Sequence, residues 1–129
     1  MYSKKILERF YNPEYAGGLR GADGSGKAEA CGDVLKIYIQ LNERGKIQTA
    51  KFKAYGGVCL IVAGDIACQL IENATLEEAL RVNSYAILEE MGDIGEEKEY
   101  VANMAEEAIK TAIEDYYKKK EKEEKKSAK

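Results

Sequence analysis

From Val34 to Tyr55 the chain alternates in steps of two, and no other stretch restricts its fold as much. Leu35, Ile37, Ile39 and Leu41 fall on one face, with Lys36 and Gln40 on the other. Asn42-Glu43-Arg44-Gly45 supplies a turn. Ile47 to Tyr55 then continues with Ala50, Phe52 and Ala54 inward and Lys51 and Lys53 outward. The pattern predicts an antiparallel hairpin with one apolar face that other elements must cover. Lys27 to Ala30 is the candidate for a short third strand.

The remaining periodic segments are helical. Tyr2 to Tyr11 carries Ile6, Leu7 and Phe10 at helical spacing, with Ser3 as N-cap and Asn12-Pro13 as the stop. Gly17 to Gly26 holds five glycines and reads as a mobile loop linking that helix to the sheet. No strand precedes these glycines and no Gly-Lys-Ser/Thr helix start follows, so they do not read as a phosphate cradle. After Gly56-Gly57, Cys59 to Glu72 reads as a mostly apolar helix with Asp65, Gln69 and Glu72 on its polar side. On that helix Cys59 falls inside the apolar arc and Cys68 near the polar edge. They lie roughly 13 Å apart along the axis, too far to share a metal or a disulfide.

Thr75-Leu76-Glu77-Glu78 is a capping box opening a short helix, and Ser84 repeats the signal for another that ends near Met91. Gly92 to Glu97 is an acidic loop. A last helix carries Val101, Met104, Ala105, Ala108, Ile109, Ala112, Ile113 and Tyr116 as a core stripe. From Tyr117 onward lysine and glutamate dominate, so residues 1–117 read as one domain and 118–129 as a charged tail, either a fraying helix or disordered. The whole is an α+β arrangement, a small antiparallel three-stranded sheet packed against helices.

Charge and composition narrow the function. With 129 residues the chain is long enough to bury a core without disulfides or a structural metal. A net charge of −3 disfavours nucleic acid and anionic membranes as partners. There is no apolar run of membrane-spanning length, and the N-terminus lacks the apolar core of a signal peptide, so the expected location is cytoplasmic. The chain has no histidine. That removes imidazole ligands, the usual neutral-pH general base and histidine-dependent triads. Cys31, Cys59 and Cys68 are odd in number and irregularly spaced, which argues for free thiols or ligands in a reducing compartment.

One tetrapeptide combines reactive groups at a strand mouth. In Ala30-Cys31-Gly32-Asp33 a thiol and a carboxylate stand two residues apart, hinged by glycine and followed at once by a strand. The alternative is a buried turn cysteine with Asp33 capping local backbone N–H groups.

The order of these motifs resembles the IscU/NifU N-terminal family of iron–sulfur cluster assembly scaffold proteins. The stretches that carry the resemblance are Tyr2-Ser3-Lys4-Lys5-Ile6-Leu7 with Tyr11-Asn12-Pro13, Ala30-Cys31-Gly32-Asp33-Val34, Phe52-Lys53-Ala54-Tyr55-Gly56, and Ala105 through Tyr116. The resemblance implies the α+β fold above and a domain on which three cysteines build a 2Fe–2S cluster. Sulfur would come from a cysteine desulfurase, and the product would pass to Fe–S acceptor proteins. Cys31 matches the family's first cysteine, and Asp33 matches the aspartate that keeps the cluster transferable.

The match breaks at two ligand positions. Gly57 stands where the family has cysteine after Tyr-Gly, and the nearest thiol is Cys59. Tyr100-Val101 stands where the family has His-Cys. The Leu-Pro-Pro-Val-Lys segment read by the family's dedicated chaperone corresponds to Ile94-Gly95-Glu96-Glu97-Lys98, in which only Lys98 is retained, so the chaperone docking motif is absent.

The expected ligands for iron or a cluster are therefore Cys31, Asp33 and Cys59, completed across a homodimer if a fourth is needed. Cys59 serves if the Gly56-Gly57 loop swings it toward Cys31, and is inert if the helix begins early and points it into the core. Tyr100 is either a phenolate ligand or an aromatic filling vacated space. Asp65 most simply lies on the helix's polar side, and a closed four-ligand zinc site is not available within the chain. Three classes of function follow. The chain is a scaffold-like, non-enzymatic protein that holds iron or a labile 2Fe–2S cluster, an interaction module that regulates Fe–S partners without a cluster, or a metal-free persulfide relay.

Overall fold

The computed structural model describes residues 2–127. Helix α1 (Lys4–Tyr11) is followed by strands β1 (Gly24–Ala30), β2 (Asp33–Leu41) and β3 (Ile47–Tyr55). Helices α2 (Val58–Ile71), α3 (Leu76–Leu80) and α4 (Ser84–Met91) come next. A 3₁₀ turn at Glu96–Lys98 then leads into α5 (Tyr100–Ser127).

The strands form one antiparallel sheet in the order β1-β2-β3. The alternation expected for the hairpin holds. Leu35, Ile37 and Ile39 of β2 are fully buried, and so are Ala50 and Phe52 of β3. Each such side chain removed from water contributes roughly 1.5–3 kcal/mol, apart from the smaller alanine. Helix α5 covers β1 and β2 while α2 packs mainly against β3, so one face of the sheet carries the core.

The glycine-rich segment departs from the expected mobile loop. β1 starts at Gly24, three residues before the short strand expected at Lys27, because Gly24 and Gly26 are where the sheet meets α5. A Cβ on Gly26 would lie 2.3 Å from the Ala112 nitrogen and 2.4 Å from the Ala108 oxygen, and one on Gly24 would lie 2.3 Å from the Ala112 oxygen. These glycines permit backbone contact with the small-residue side of α5 and are not turn residues.

Helix α2 is buried on nearly every side. On its polar side Asp65 is covered by α1 and by the segment after it, while Gln69 stays exposed. Asp65 is only 1% exposed. Its two carboxylate oxygens accept from Arg9 Nη1 at 2.8 Å and from the Tyr15 backbone N–H at 2.8 Å. Cys68, expected near the polar edge, is completely buried. The charge of Asp65 is thus neutralised in place by a partner 56 residues away, which local periodicity cannot reveal.

Local signals were read correctly at most helix starts. Ser3 caps α1 by accepting from the Ile6 N–H, and Thr75 and Glu78 form the reciprocal capping box of α3. At α4 the cap is Asn83 and not Ser84, whose N–H instead donates to Glu106 Oε1 at 2.8 Å. The core stripe of the last helix is buried from Val101 through Ile113 as expected. The charged segment from Tyr117 continues α5 as helix to Ser127. Asp115 with Lys119, and Glu121 with Lys125, pair one turn apart along it. The rest of the tail, Ala128 and Lys129, lies outside the described residues.

Candidate functional site

Pairing of Ala30 with Asp33 leaves Cys31 and Gly32 as a two-residue hairpin turn between β1 and β2. Both have positive φ, 53° at Cys31 and 83° at Gly32. That is the signature of a turn whose twist suits adjacent strands, and its first position ordinarily holds asparagine, aspartate or glycine. A cysteine held there costs about 1–2 kcal/mol. The strain puts Cys31 at the tip of the hairpin, where it is exposed, while Cys59 and Cys68 are buried; all three are free.

Asp33, the first residue of β2, points away from the hairpin tip into a fixed setting. The register that pairs Val34 with Tyr55 brings Gly56 alongside it. A Cβ on Gly56 would lie 2.7 Å from Asp33 Cγ, so the bare glycine lets this carboxyl group take its place without displacement. On its other side the Tyr100 hydroxyl donates to Asp33 Oδ2 at 2.7 Å. That hydrogen bond leads the causes, ahead of burial and the Asp33 charge, that push the Tyr100 phenol up to about 12. The Cys31 and Cys59 thiols, when ionised, add to the effect.

Helix α2 starts early. Gly57 is its N-cap, Val58 its first residue and Cys59 its second. Cys59 is therefore fixed by the helix and does not ride on a swinging loop. It is 3% exposed, yet it does not point into featureless core. It lines a small cavity of about 130 Å³ together with Asp33, Lys98, Tyr100 and Val101. Burial pushes its thiol up, and the nearby Lys98 charge pulls it partly back.

Of the three expected ligands, Asp33 and Cys59 thus share one cavity with Tyr100, whereas the exposed Cys31 does not line it. Among the described residues no three His, Cys, Asp or Glu side chains are placed to hold one metal ion. Asp65 belongs to the separate Arg9–Tyr15 cluster and Cys68 to the core. Sequence reasoning offered Tyr100 as ligand or filler and missed its bond to Asp33. The two residues stand 67 positions apart, and no local pattern links them.

The donor set has definite chemical capacity. An exposed thiol can attack a persulfide, and thiolates are soft ligands for iron. A carboxylate adds a harder, more exchangeable oxygen. No helix among the described residues is long and apolar enough to cross a membrane.

Comparison with known proteins agrees with the fold. The model of the NifU-like N-terminal domain matches residues 1–123. The iron–sulfur cluster assembly scaffold protein IscU of Buchnera aphidicola subsp. Acyrthosiphon pisum is 39% identical over 124 residues, covering 92% of this chain and 97% of its own. The Escherichia coli K12 scaffold protein of the same name is 36% identical over 125 residues, covering 93% and 97%. A crystal structure from Fervidobacterium islandicum AW-1, described as a cluster assembly scaffold for the SUF system, superposes with a TM-score of 0.74 at 17% identity, covering 87% of this chain and 96% of that one.

Proposed function

The chain belongs to the family of NifU-like N-terminal domains, and from that membership we propose that it is an iron–sulfur cluster assembly scaffold with a remodelled ligand set. The observation that supports this reading is that Asp33 and Cys59 line one small cavity, with the exposed thiol of Cys31 two residues before Asp33. Cys31 receives sulfur. Its thiolate attacks the terminal sulfur of a persulfide on a cysteine desulfurase, the partner's S–S bond breaks, and the partner leaves as thiolate. The sulfane sulfur changes carrier with no net oxidation or reduction.

Iron and the growing 2Fe–2S unit are cargo here. Two thiolates and one carboxylate are three donors, and a 2Fe–2S cluster is ordinarily held by four. The fourth comes from outside the chain, from a second copy or from the acceptor protein. Such a cluster is open on one side and leaves readily, which suits delivery better than storage. Residues 1–117 carry this function, the charged extension beyond them is solvated, and the protein works in the cytoplasm without turning over a substrate of its own.

A second reading has one observation in its favour. Because no three His, Cys, Asp or Glu side chains converge among the described residues, Cys31 also suits a metal-free persulfide relay. Anaerobic reconstitution with ferrous iron, cysteine and a cysteine desulfurase separates the two, using wild type beside Cys31→Ser and Cys59→Ser. Scaffold activity gives visible, sulfide-containing absorption that both variants lose. Relay gives colourless protein with persulfide on Cys31. Protein carrying neither metal nor sulfur defeats both.

A further inference from the structure

The Tyr100 hydroxyl and Asp33 Oδ2 are 2.7 Å apart at the wall of the Cys59 cavity. In the metal-free protein a proton lies between them. The same spacing suits two oxygens bound to one small, hard cation. An octahedron with bonds of about 2.0 Å has edges of about 2.8 Å, so a metal ion can replace the proton with little movement of either group. Asp33 is already fixed from behind by the Gly56 backbone, and Tyr100 is anchored as the first residue of α5. The site is built before any ion arrives.

The approach is open from one side. No atom lies within 4 Å of where a Cβ on Gly57 would stand, and Gly57 lines the same cavity. The third donor in that cavity is the Cys59 sulfur. A carboxylate, a phenolate and a thiolate together carry three negative charges, and among the described residues Lys98 is the one cation lining the cavity. Anionic oxygen donors favour hard cations over soft ones, and ferric iron is harder than ferrous.

We propose that Asp33 and Tyr100 form a two-oxygen binding site for ferric iron, with Cys59 as its third donor. Tyr100 is then a metal ligand through its phenolate oxygen. When the Fe–O(Tyr100) and Fe–S(Cys59) bonds form, the O–H and S–H bonds break and both protons go to water; the iron stays ferric and nothing is oxidised or reduced. The proposal rests on the scaffold reading to the extent that both assign iron to this cavity, but it concerns a different oxidation state and a different ligand.

The test adds ferric citrate, under anaerobic conditions, to the full chain and reads the visible phenolate-to-iron charge-transfer band together with tyrosinate vibrations by resonance Raman. Wild type shows both signals. Tyr100→Phe loses them, Asp33→Asn loses most of their intensity, and Tyr85→Phe, at an exposed α4 position, keeps them. Circular dichroism establishes that each variant is folded. Absence of the band from wild type, or its survival in Tyr100→Phe, overturns the site. Desulfurase-driven sulfide loading, measured on the same samples, separates the two ideas. Loading without a ferric band removes this site alone, and a Tyr100-dependent band without loading leaves it standing while the scaffold reading falls.

Discussion

Tyr100, the first residue of α5, donates its hydroxyl proton to Asp33 Oδ2, the carboxylate that opens β2. The bond ties the start of the last helix to the hairpin beside Cys31. A hydrogen bond to a charged acceptor is worth about 1.5–3 kcal/mol, and partial exposure of both groups puts this one at or below the lower end. Tyr100→Phe should therefore lower unfolding stability by about 1 kcal/mol. Urea denaturation of the two proteins checks this, and an unchanged midpoint would mean that water replaces the phenol at no cost.

The three thiols should differ sharply in reactivity. Cys31 is exposed, Cys59 is buried with its thiol pushed up by burial, and Cys68 is completely buried and pushed up further by burial and by Asp65. The thiolate is the reactive form, and access limits it further. Native alkylation near neutral pH should therefore label Cys31 alone, with Cys59 and Cys68 modified only in denaturant. Peptide mass mapping reads the order. Early labelling of Cys59 would show that the start of α2 opens on the timescale of the reaction.

The same contrast between local and distant relations governs what could be read in the sequence. The β2–β3 hairpin and the α3 capping box were legible because their signals lie within a few residues. Cys31 and Asp33 were legible as a pair for the same reason. Gly24 and Gly26 were misread as loop because glycine usually marks turns; their actual cause is the α5 backbone more than eighty residues on. Asp65 was misread as surface because its counterion, Arg9, comes from another helix. The Tyr100–Asp33 bond was invisible for a related reason, since it exists only once α5 has docked on the sheet.

Three glycines offer a direct check on that explanation. Gly26→Ala drives a methyl group against α5 backbone at 2.3–2.4 Å, and backbone there cannot rotate away. Overpacking of this kind costs about 1–3 kcal/mol or more, so the variant should unfold well below wild type in a thermal melt. Gly57→Ala meets no atom within 4 Å at an ordinary φ of −85° and should melt close to wild type. Gly56→Ala falls between them, because its clash is with the movable side chains of Asp33 and Leu60. A Gly26→Ala protein as stable as wild type would contradict the close helix–sheet approach.

Alkaline stability should carry the mark of Tyr15. Its phenol is raised to about 12 by burial first and then by the charge of Glu72, to which its hydroxyl donates at 3.3 Å. The folded value exceeds the ordinary value near 10, so the protonated phenol favours the fold. That contribution is complete below about pH 10 and is lost as pH rises through about 12. Tyr100, shifted in the same direction, adds to the loss. Denaturation midpoints measured across this window should fall less steeply in Tyr15→Phe than in wild type. Equal slopes would place the alkaline transition elsewhere.

Gly57 gives the last prediction, because it stands where the family resemblance puts a cysteine and where the structure leaves space. Its φ of −85° and ψ of −173° suit any L-residue, and its missing side chain would meet nothing within 4 Å. As the N-cap of α2 it also sits where unpaired N–H groups and the helix dipole favour a thiolate. Gly57→Cys should therefore fold normally and add the missing fourth donor to Cys31, Asp33 and Cys59. After desulfurase-driven reconstitution its visible absorption should outlast that of wild type when a chelator is added, by at least severalfold in half-life. Gly57→Ser, with the same shape and no soft donor, should behave like wild type. Equal half-lives in the cysteine variant and wild type would mean that the cargo does not form on this side of Asp33, and attention would move to the Tyr100 side of the cavity.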